Sequence, residues 1–403
     1  MNIILFDSIA RIHLLPLTFT RPVAQLRAGI STIADKWRRH FPDNPISFLT
    51  PDYLKSLFPF ETGSDNILID GSVIPDENII NAIKHLDNNS VLTDSNNNII
   101  AARLSESQLQ PFISFNKYLD LNALNYTSTA VVNTICAINR PWHIFSLAGK
   151  LFNDDFPIIT SNRKSVVLSN TNRCVNPENI FIEEGAKVEF SILNASTGPI
   201  YIGKNAEVME NCAIRGPFSL GEHSVLKMSS KIYGPTIIGP YCKVGGEVNN
   251  SVFLGFSNKA HDGFLGNSVI GEWCNLGADT NNSNLKNTYE EVKLWSYLKK
   301  GFVPTGLQFC GLIMGDHSKC SINTMFNTGT VIGVSCNLYG DGFHRNFIPS
   351  FSWGSTAKLS AFQFDKAMLV IERVMARRDL QLSDLEKDIM KHIYLDTPEW
   401  QNK

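Results

Sequence analysis

A residue spacing of six, repeated through the middle of the chain, constrains the fold more than any other feature of the sequence. Neither an α-helix, with a period of 3.6, nor a strand, with a period of two, generates it. The aliphatic row is Ile202, Val208, Ile214, Leu220, Leu226, Ile232, Ile238 and Val244, and the glycines that directly follow its members are Gly203, Gly221, Gly239 and Gly245. The spacing recurs as Phe264, Ile270 and Leu276, and as Met314, Cys320, Phe326, Ile332 and Leu338.

This period is typical of a parallel β-helix whose coils each contain three short, flat strands of one hexapeptide. One aliphatic residue per strand points inward, and the small residue after it lets the chain turn the corner. We therefore predict a β-helix of about ten coils over residues 165–355. The alternative is a β-sandwich with coincidental spacing, although sandwich strands alternate at two and vary in length.

Two segments interrupt or follow the repeat. Residues 282–310 have no sixfold apolar row and carry several lysines, so we predict a loop inserted between coils, where repeat proteins accept insertions. Residues 356–403 show apolar spacing typical of helices, and Ser383 with Glu386 forms a capping box for one of them. We expect this helical tail to cover an end of the β-helix or a neighbouring subunit.

Residues 1–160 differ from the repeat because short apolar runs alternate with helical patterns. The runs NIILF, PISFLT and NILIDG read as strands, and ISTIADKWRRHF and PDENIINAIKHL read as helices. Such alternation predicts a Rossmann-like α/β domain with a parallel sheet. Ligands of these sheets bind at the carboxyl ends of strands, which is where Asp7 and Asp70 fall.

Composition excludes several classes of protein. Lysine and arginine total 36 against 38 acidic residues, which gives no electrostatic footprint for nucleic acid or an anionic membrane. No apolar run has the length of a membrane span, and the N-terminal residues lack the features of a signal peptide. The eight cysteines lack the spacing of a zinc site, so we expect reduced thiols packed in the core of a cytoplasmic protein.

The segment NKAHDGFLGNSVIGEWCNLGADTNNSNL, residues 258–285, carries a more specific signal. It resembles the bifunctional N-acetylglucosamine-1-phosphate uridyltransferase/glucosamine-1-phosphate acetyltransferase family, in which a His, an L-G-D turn and an N-x-G-A-G-T stretch follow each other in this way. The matching positions are His261, Leu265–Asn267, Asn275–Ala278 and Asn284. The family's β-helix is left-handed, so the resemblance implies that hand here.

The resemblance implies acetyl transfer from acetyl-CoA to an amino-sugar phosphate or a nucleotide sugar. His261 would act as the general base, since an imidazole can accept the amine proton at neutral pH. Asn275 and Asn284 would hold the sugar or orient the imidazole, and Ala278 and Lys286 would contact the coenzyme. In this family the site lies between neighbouring β-helices, so the resemblance also implies a homotrimer.

Some family positions are changed in this chain. Phe264 replaces a tyrosine, Asp279 replaces a glycine, and Phe309 stands where a lysine is expected. The loop lysines are available as replacement cations, but a lysine-rich loop that is simply solvated is the more common explanation. For His261 the alternative is a polar residue on an exposed turn.

The N-terminal segment LLPLTFTRPVAQLRAG, residues 14–29, resembles a divergent branch of the sugar nucleotidyltransferases that lacks the usual glycine-rich loop. The resemblance implies that Arg11, Arg21 and Arg27 neutralise a nucleoside triphosphate. Asp70 would bind the substrate and a Mg²⁺ ion. Val23 takes the place of the family's lysine.

We therefore predict a transferase of nucleotide-sugar synthesis, with a nucleotidyltransferase-like domain and an acetyltransferase-type β-helix. Two alternatives remain open. In one, only the transfer of a nucleotidyl group to a sugar 1-phosphate survives. In the other, the chain is a trimeric scaffold that binds nucleotide sugars without catalysis.

Overall fold

A computed structural model describes residues 1–401 of the chain. It contains two compact units. The first comprises Met1–Leu26, Ser31–Arg140 and Asp384–His392. The second comprises Arg27–Ile30, Pro141–Ser383 and the chain from Ile393 onward. Residues 402–403, the end of the predicted helical tail, lie outside the described residues.

The helices are α1 (Ala10–His13), α2 (Ile33–His40), α3 (Glu77–Lys84), α4 (Glu106–Leu109), α5 (Pro141–Ser146), α6 (Ala148–Thr160), α7 (Phe364–Ala376), α8 (Asp384–Asp396) and α9 (Pro398–Gln401). The strands within residues 1–160 are β1 (Asn2–Phe6), β2 (Arg27–Ala28), β3 (Ser31–Thr32), β4 (Ile46–Leu49), β5 (Asn66–Asp70), β6 (Ser90–Thr93), β7 (Ile99–Leu104) and β8 (Ser128–Val131).

The first unit is built on a six-stranded sheet in the order β4-β1-β5-β7-β6-β8. Strand β1 lies parallel to both β4 and β5, but β7 runs antiparallel to β5 and to β6. The sheet is therefore mixed, and the expectation of a wholly parallel sheet was wrong. The reason is local: β6 and β7 are joined by a turn in which Asp94 accepts hydrogen bonds from the amides of Asn96 and Asn98, and so short a connection forces a hairpin.

The predicted helices of this unit begin where their capping residues lie. Thr32 and Asp35 form a capping box at the start of α2, and Asp76 caps α3. The buried faces of these helices carry Ile33 and Trp37 in α2 and Ile79 in α3. Helical spacing in the sequence therefore located both helices correctly, to within a few residues at their ends.

The second unit is a parallel β-solenoid. Its strands are β9 (Arg173–Val175), β10 (Ile180–Ile182), β11 (Lys187–Val188), β12 (Ile192–Asn194), β13 (Ile200–Ile202), β14 (Glu207–Val208), β15 (Ala213–Arg215), β16 (Phe218–Leu220), β17 (Val225–Leu226), β18 (Lys231–Tyr233), β19 (Thr236–Ile238), β20 (Lys243–Val244), β21 (Glu247–Asn249), β22 (Val252–Gly255), β23 (Asn258–Lys259), β24 (Phe264–Gly266), β25 (Val269–Glu272), β26 (Asn275–Leu276), β27 (Asn281–Asn282), β28 (Lys293–Ser296), β29 (Gly301–Pro304), β30 (Ile313–Met314), β31 (Lys319–Cys320), β32 (Met325–Phe326), β33 (Val331–Ile332), β34 (Asn337–Leu338), β35 (Phe347–Ile348), β36 (Ser352–Gly354) and β37 (Leu359–Ala361).

Strands at the same position of successive coils belong to the same sheet, so equivalent residues stack directly. Within residues 1–401 the three long solenoid sheets contain nine, ten and six strands. Ile202 pairs with Leu220, and Leu220 pairs with Ile238, each one full coil further along the chain. All eight members of the sixfold row from 202 to 244 are buried. The predicted fold class, an α/β domain followed by a parallel β-helix and C-terminal helices, is confirmed.

One assignment within the repeat was wrong. The structure buries Leu265, which pairs with Val248 of the preceding coil, whereas its neighbour Phe264 is only partly buried. The coil from Ile238 to its partner Phe253 is shorter than the coil before it, which runs from Leu220 to Ile238, and a shortened coil shifts the sixfold count that follows it. The row that begins at Ile270 is again buried.

The inserted loop is more ordered than its sequence suggested. Strands β28 and β29 form an antiparallel hairpin, with Leu294 opposite Val303 and Trp295 opposite Phe302. Val292 and Leu294 are buried, so the hairpin has an apolar side of its own. The alternation of period two in KLWS was too short to predict a strand.

The C-terminal helices begin after the last coil, and α7 buries Ala367, Met368 and Ile371 as its spacing predicted. Within residues 1–401, none of the helices combines the length and apolar character needed to cross a bilayer. The eight cysteines, all among the described residues, form no disulfide, and six of them are buried. Burial raises the pKa of the Cys242, Cys310 and Cys336 thiols to about 12, which suits inert core residues.

An aromatic ladder runs along one corner of five successive coils. Its rings are stacked in the order His223, Tyr241, Phe256, Trp273 and His317, with centroids 4.8, 5.0, 4.4 and 6.2 Å apart. Each of these residues has φ between 53° and 60°, a left-handed backbone that normally disfavours bulky side chains. We conclude that ring stacking offsets the backbone strain at this corner.

Substitution of Phe256 separates these two effects. We expect Phe256→Ala to lower the free energy of unfolding by about 2–3 kcal/mol through the lost packing and stacking. Phe256→Gly should cost about 1 kcal/mol less, because glycine adopts a positive φ without strain. Phe190 is the matched control: it also has a positive φ, of 51°, but is 63% exposed. Chemical denaturation measures all variants, and a loss at Phe190→Gly equal to that at Phe256→Gly would contradict the role of the ladder.

Candidate functional site

The first unit has a cavity of about 610 Å³ at the carboxyl ends of β1 and β5. Its wall is formed by the segments that follow these two strands, by the β6–β7 turn, and by residues 118–122 and 135–140. The polar lining residues are Ser8, His13, Asp70, Ser72, Asp94, Asn98, Tyr118, Asp120, Asn122, Asn139 and Arg140. The sheet thus gathers side chains from both ends of the unit's sequence, at the edge where open α/β sheets bind ligands.

Asp70 is the acid of this cavity that ends a central strand. It is the last residue of β5, and its Oδ1 accepts a hydrogen bond from the Ser72 amide at 2.8 Å. Burial raises the pKa of the Asp70 carboxyl, and the nearby charge of Asp7 adds to the rise, while hydrogen bonds from Ser8 and Ser72 oppose it. A bound cation would reverse this burial effect, because it stabilises the ionised form.

The cavity suits a magnesium ion that is shared with a substrate. The described residues contain no cluster of three His, Cys, Asp or Glu side chains that would hold a metal by themselves. Mg²⁺ commonly keeps several waters and binds through one or two carboxylates plus phosphate oxygens. Asp70 supplies one such carboxylate, so the residues fit an ion that arrives with a phosphorylated ligand.

Asp7 anchors the segment that leads into the cavity. Its carboxylate accepts hydrogen bonds from Arg11 Nη1 at 2.9 Å, from Thr50 Oγ1 at 2.6 Å and from the Val23 amide at 2.7 Å. Asp7 is 1% and Arg11 is 2% exposed. Asp7 therefore holds the segment after β1 in place and lies behind the cavity wall. The sequence alone did not distinguish this role from that of a ligand-binding residue.

The structure places the three predicted phosphate-binding arginines in different environments. Arg11 also donates to the Arg21 carbonyl at 3.0 Å and to Tyr53 Oη at 2.6 Å. Arg21 itself is buried. Arg27 belongs to the second unit, where it donates to the carbonyls of Ile30 and Leu254. The contacts of Arg11 and Arg27 occupy donors that the resemblance had directed toward a triphosphate.

The cation in the cavity wall is Arg140, which sequence reasoning missed. Its Nη1 donates to the Asn139 carbonyl at 2.7 Å, and burial lowers the pKa of its guanidinium. It reaches the cavity because residues 136–138 run beside the end of β5: the Ile74 amide donates to the Cys136 carbonyl, and the Ile138 amide donates to the Ser72 carbonyl. Nothing local in the sequence signals this pairing between two distant segments.

The second unit has a cavity of about 390 Å³ at a corner of the solenoid, and His261 and Ala278 both line it. His261 is exposed, and the wall also contains Met209, Lys227, Met228, Gly246, Ala260, Asp262 and Asp279. The predicted general base is therefore accessible from this cavity, whose wall also holds one lysine and two aspartates.

Lys259 was not singled out in the sequence, yet it supports this corner. Its side chain is inside the solenoid, 1% exposed, and its Nζ donates to the carbonyls of Gly245 at 3.1 Å and of His261 at 2.9 Å. Burial lowers the pKa of the Lys259 ammonium to about 8. The lysine thereby fixes the backbone of His261 from within.

The other predicted residues of the acyl-transfer site lie elsewhere on the solenoid. Asn275 is exposed in β26, between Asn258 and Lys319 of the adjacent coils. Asn284 donates from Nδ2 to Asn267 Oδ1 at 2.8 Å. Lys286 donates to the Glu291 carbonyl at 2.8 Å within the inserted loop and lines a different cavity. His261 and Ala278 thus line one cavity of the described residues and Lys286 lines another, and neither wall includes Asn275 or Asn284.

Comparison with known protein families finds a match for the N-terminal part of the chain. Residues 3–164 match the model of the family described as sugar nucleotidyl transferase. The wall of the first cavity, which contains Asp70 and is called the Asp70 cavity below, lies within the matched residues. No curated protein matches the chain.

Among solved structures, the chain is similar to the UDP-N-acetylglucosamine acyltransferase of Arabidopsis, at 15% identity and a TM-score of 0.21, over 59% of this chain and 92% of that one. It is also similar to the polysialic acid O-acetyltransferase OatWY, at 10% identity and a TM-score of 0.20, over 47% and 86%. A third is a variant of GDP-perosamine N-acetyltransferase from Caulobacter crescentus, solved with CoA and GDP-perosamine, at 9% identity and a TM-score of 0.13, over 60% and 88%.

The Asp7–Arg11 pair gives a prediction about stability. Arg11→Ala leaves a buried carboxylate without its counter-ion, so we expect the free energy of unfolding to fall by about 3–5 kcal/mol. Arg38→Ala is the matched control, because its pair with Asp35 is exposed and should be worth less than about 1 kcal/mol. Urea denaturation compares the two, and equal losses would show that Arg11 is not a structural anchor.

Proposed function

We propose that the N-terminal domain transfers a nucleotidyl group to a sugar 1-phosphate, and that the Asp70 cavity is its active site. One observation carries the proposal: within a domain that matches the sugar nucleotidyltransferases, a carboxylate ends a central strand inside a cavity large enough for a nucleotide. The wall also offers hydroxyls and amides, which are suited to hydrogen bonds with a sugar or a base.

The proposed reaction forms one P–O bond and breaks another. A phosphate oxygen of the sugar 1-phosphate attacks the α-phosphorus of the nucleoside triphosphate and forms a new P–O bond. The bond from that phosphorus to the oxygen bridging the α- and β-phosphates breaks, and pyrophosphate leaves with the electron pair. Such transfers need charge neutralisation and in-line positioning more than covalent chemistry from the protein.

The described side chains divide these tasks. Asp70 would hold the Mg²⁺ ion, which supplies charge neutralisation when bound. Arg140 would donate to a phosphate oxygen, since a guanidinium can do so through two nitrogens. Ser8 and Ser72 would orient the Asp70 carboxylate, to which both already donate hydrogen bonds. Asp7 and Arg11 are positioning residues that hold the segment after β1.

The test is release of pyrophosphate. Purified protein is given Mg²⁺, a panel of sugar 1-phosphates, and UTP or dTTP. We expect pyrophosphate release that EDTA abolishes, a loss of at least 100-fold in Asp70→Asn and a loss of at least tenfold in Arg140→Ala. The matched control is Asp43→Asn, an exposed acid in the turn before β4, which should retain activity. The absence of pyrophosphate with every substrate pair would overturn the proposal.

A second candidate function is acyl transfer from acetyl-CoA at the His261 cavity, and the exposed imidazole in that cavity favours it. The amine nitrogen of an amino sugar would attack the thioester carbonyl carbon, forming a C–N bond and breaking the C–S bond. His261 would take the amine proton, and coenzyme A would leave as the thiol. Since Asn275 and Asn284 do not line this cavity, contributions from a neighbouring subunit of a trimer would have to complete the site.

Thiol release in the presence of acetyl-CoA and amino-sugar 1-phosphates or nucleotide amino sugars tests this second function. We expect His261→Asn to reduce the rate at least 100-fold, whereas His85→Asn, an exposed histidine of the first unit, should leave it unchanged. A rate that His261→Asn does not alter would exclude the proposed base. If the unmodified protein shows neither activity, the result would favour the remaining alternative, a trimeric scaffold that binds nucleotide sugars without catalysis.

A further inference from the structure

The inserted loop forms one wall of a third cavity, which shares no lining residue with the cavities of Asp70 and His261. The hairpin β28–β29 and the last coils enclose about 660 Å³, and we call this cavity the hairpin pocket. Its lining residues are Lys286, Lys293, Trp295, Phe302, Thr328, Arg345, Asn346 and Phe347. Three of these eight are cationic and three are aromatic, and the described wall contains no acidic residue.

The charges of the hairpin pocket are only partly compensated. Lys286 lies 3.9 Å from a carboxylate oxygen of Glu290, which is itself 70% exposed. Among the residues that the structure describes, Lys293 and Arg345 have neither a hydrogen-bond nor an ion-pair partner for their side chains. In a chain whose formal net charge is −2, the three cations of this wall are a local excess of positive charge, which a bound anion would neutralise.

The aromatic side of the pocket is a cluster of rings in contact with one another. The Trp295 indole stacks on Phe347, with centroids 4.1 Å apart and planes at 11°, and Phe302 meets its edge at 5.4 Å. Phe302 is 47% exposed, so part of its surface remains available to a ligand. The Trp295 indole nitrogen is buried and has no partner within the described part of the chain, which is an unusual cost for a core that served packing alone.

We infer that the hairpin pocket binds a nucleotide, with its phosphates on Lys293 and Arg345 and its base against the aromatic side. A phosphate alone would leave the aromatic surface uncovered, and an apolar ligand would leave the cations unneutralised. A nucleotide satisfies both, since guanidinium and ammonium groups bind phosphate and aromatic side chains stack on bases. The volume also suits a ligand of this size.

Two kinds of ligand would supply a base together with phosphates: the nucleoside diphosphate of a nucleotide sugar and the adenosine bisphosphate end of coenzyme A. UDP and adenosine 3′,5′-bisphosphate represent them, and pyrophosphate tests the need for a base. Calorimetric titration of the full chain, in EDTA to suppress Mg²⁺-dependent binding, should show tighter binding of at least one nucleotide than of pyrophosphate, by tenfold or more. The tighter nucleotide identifies the source.

Variants assign the binding to this pocket. Lys293→Ala/Arg345→Ala should weaken nucleotide binding at least 30-fold, and Phe302→Ala should weaken it about tenfold without changing pyrophosphate binding. Lys299→Ala, an exposed lysine of the same hairpin outside the pocket wall, is the charge-matched control and should change affinity less than twofold.

The inference does not rest on the proposed transferase function, and the two fail separately. If the double variant binds the nucleotide as tightly as the unmodified protein, the hairpin pocket is not the binding site. The inference would also be overturned if neither nucleotide bound in EDTA. Pyrophosphate release depends on Asp70 and should be unaffected by the double variant, so its absence would count only against the Asp70 site.

Discussion

The stacking of one inward side chain on the same position of the next coil is the interaction on which the second unit depends. A single coil cannot bury its aliphatic residues, because each of its strands is only two to four residues long. Pairing of Ile202 with Leu220 and of Leu220 with Ile238 makes one continuous apolar column and, through the same register, one continuous set of hydrogen bonds. The corners, the cavities and the inserted hairpin are attached to this column and depend on it for their position.

A fixed column explains why the functional candidates of the second unit lie at corners and in the insertion. The strands have no freedom to change their inward residues, but a corner residue contributes little to the column. His261 occupies such a corner, and Lys259 fixes its backbone from the inside through main-chain carbonyls. The hairpin β28–β29 is a second example. It adds Trp295 and Phe302 to the solenoid, while β25 before the insertion still pairs with β30 after it.

The first unit distributes its charges in a different way. The carboxylate of Asp7 accepts hydrogen bonds that hold the segment after β1, while the neighbouring Asp70 faces the cavity. The two acids lie at the ends of adjacent parallel strands and look equivalent in sequence, yet three donors surround Asp7 and the cavity opens beside Asp70. The same division applies to the arginines: Arg11 is buried against Asp7, and the cation that reaches the cavity is Arg140.

The sequence by itself determined the solenoid, most of its inward residues and the helices with capping signals, because periodicity and capping are local properties of the chain. It also located Asp70 at the end of a strand. Only the tertiary structure decided which polar residues share a cavity, since Asp70 and Arg140 meet through a pairing between segments that are distant in the chain. The antiparallel β6–β7 pair follows from its short connecting turn, but the hairpin pocket was decided in the same way as the Asp70 cavity, by contacts between segments that carry no signal for one another.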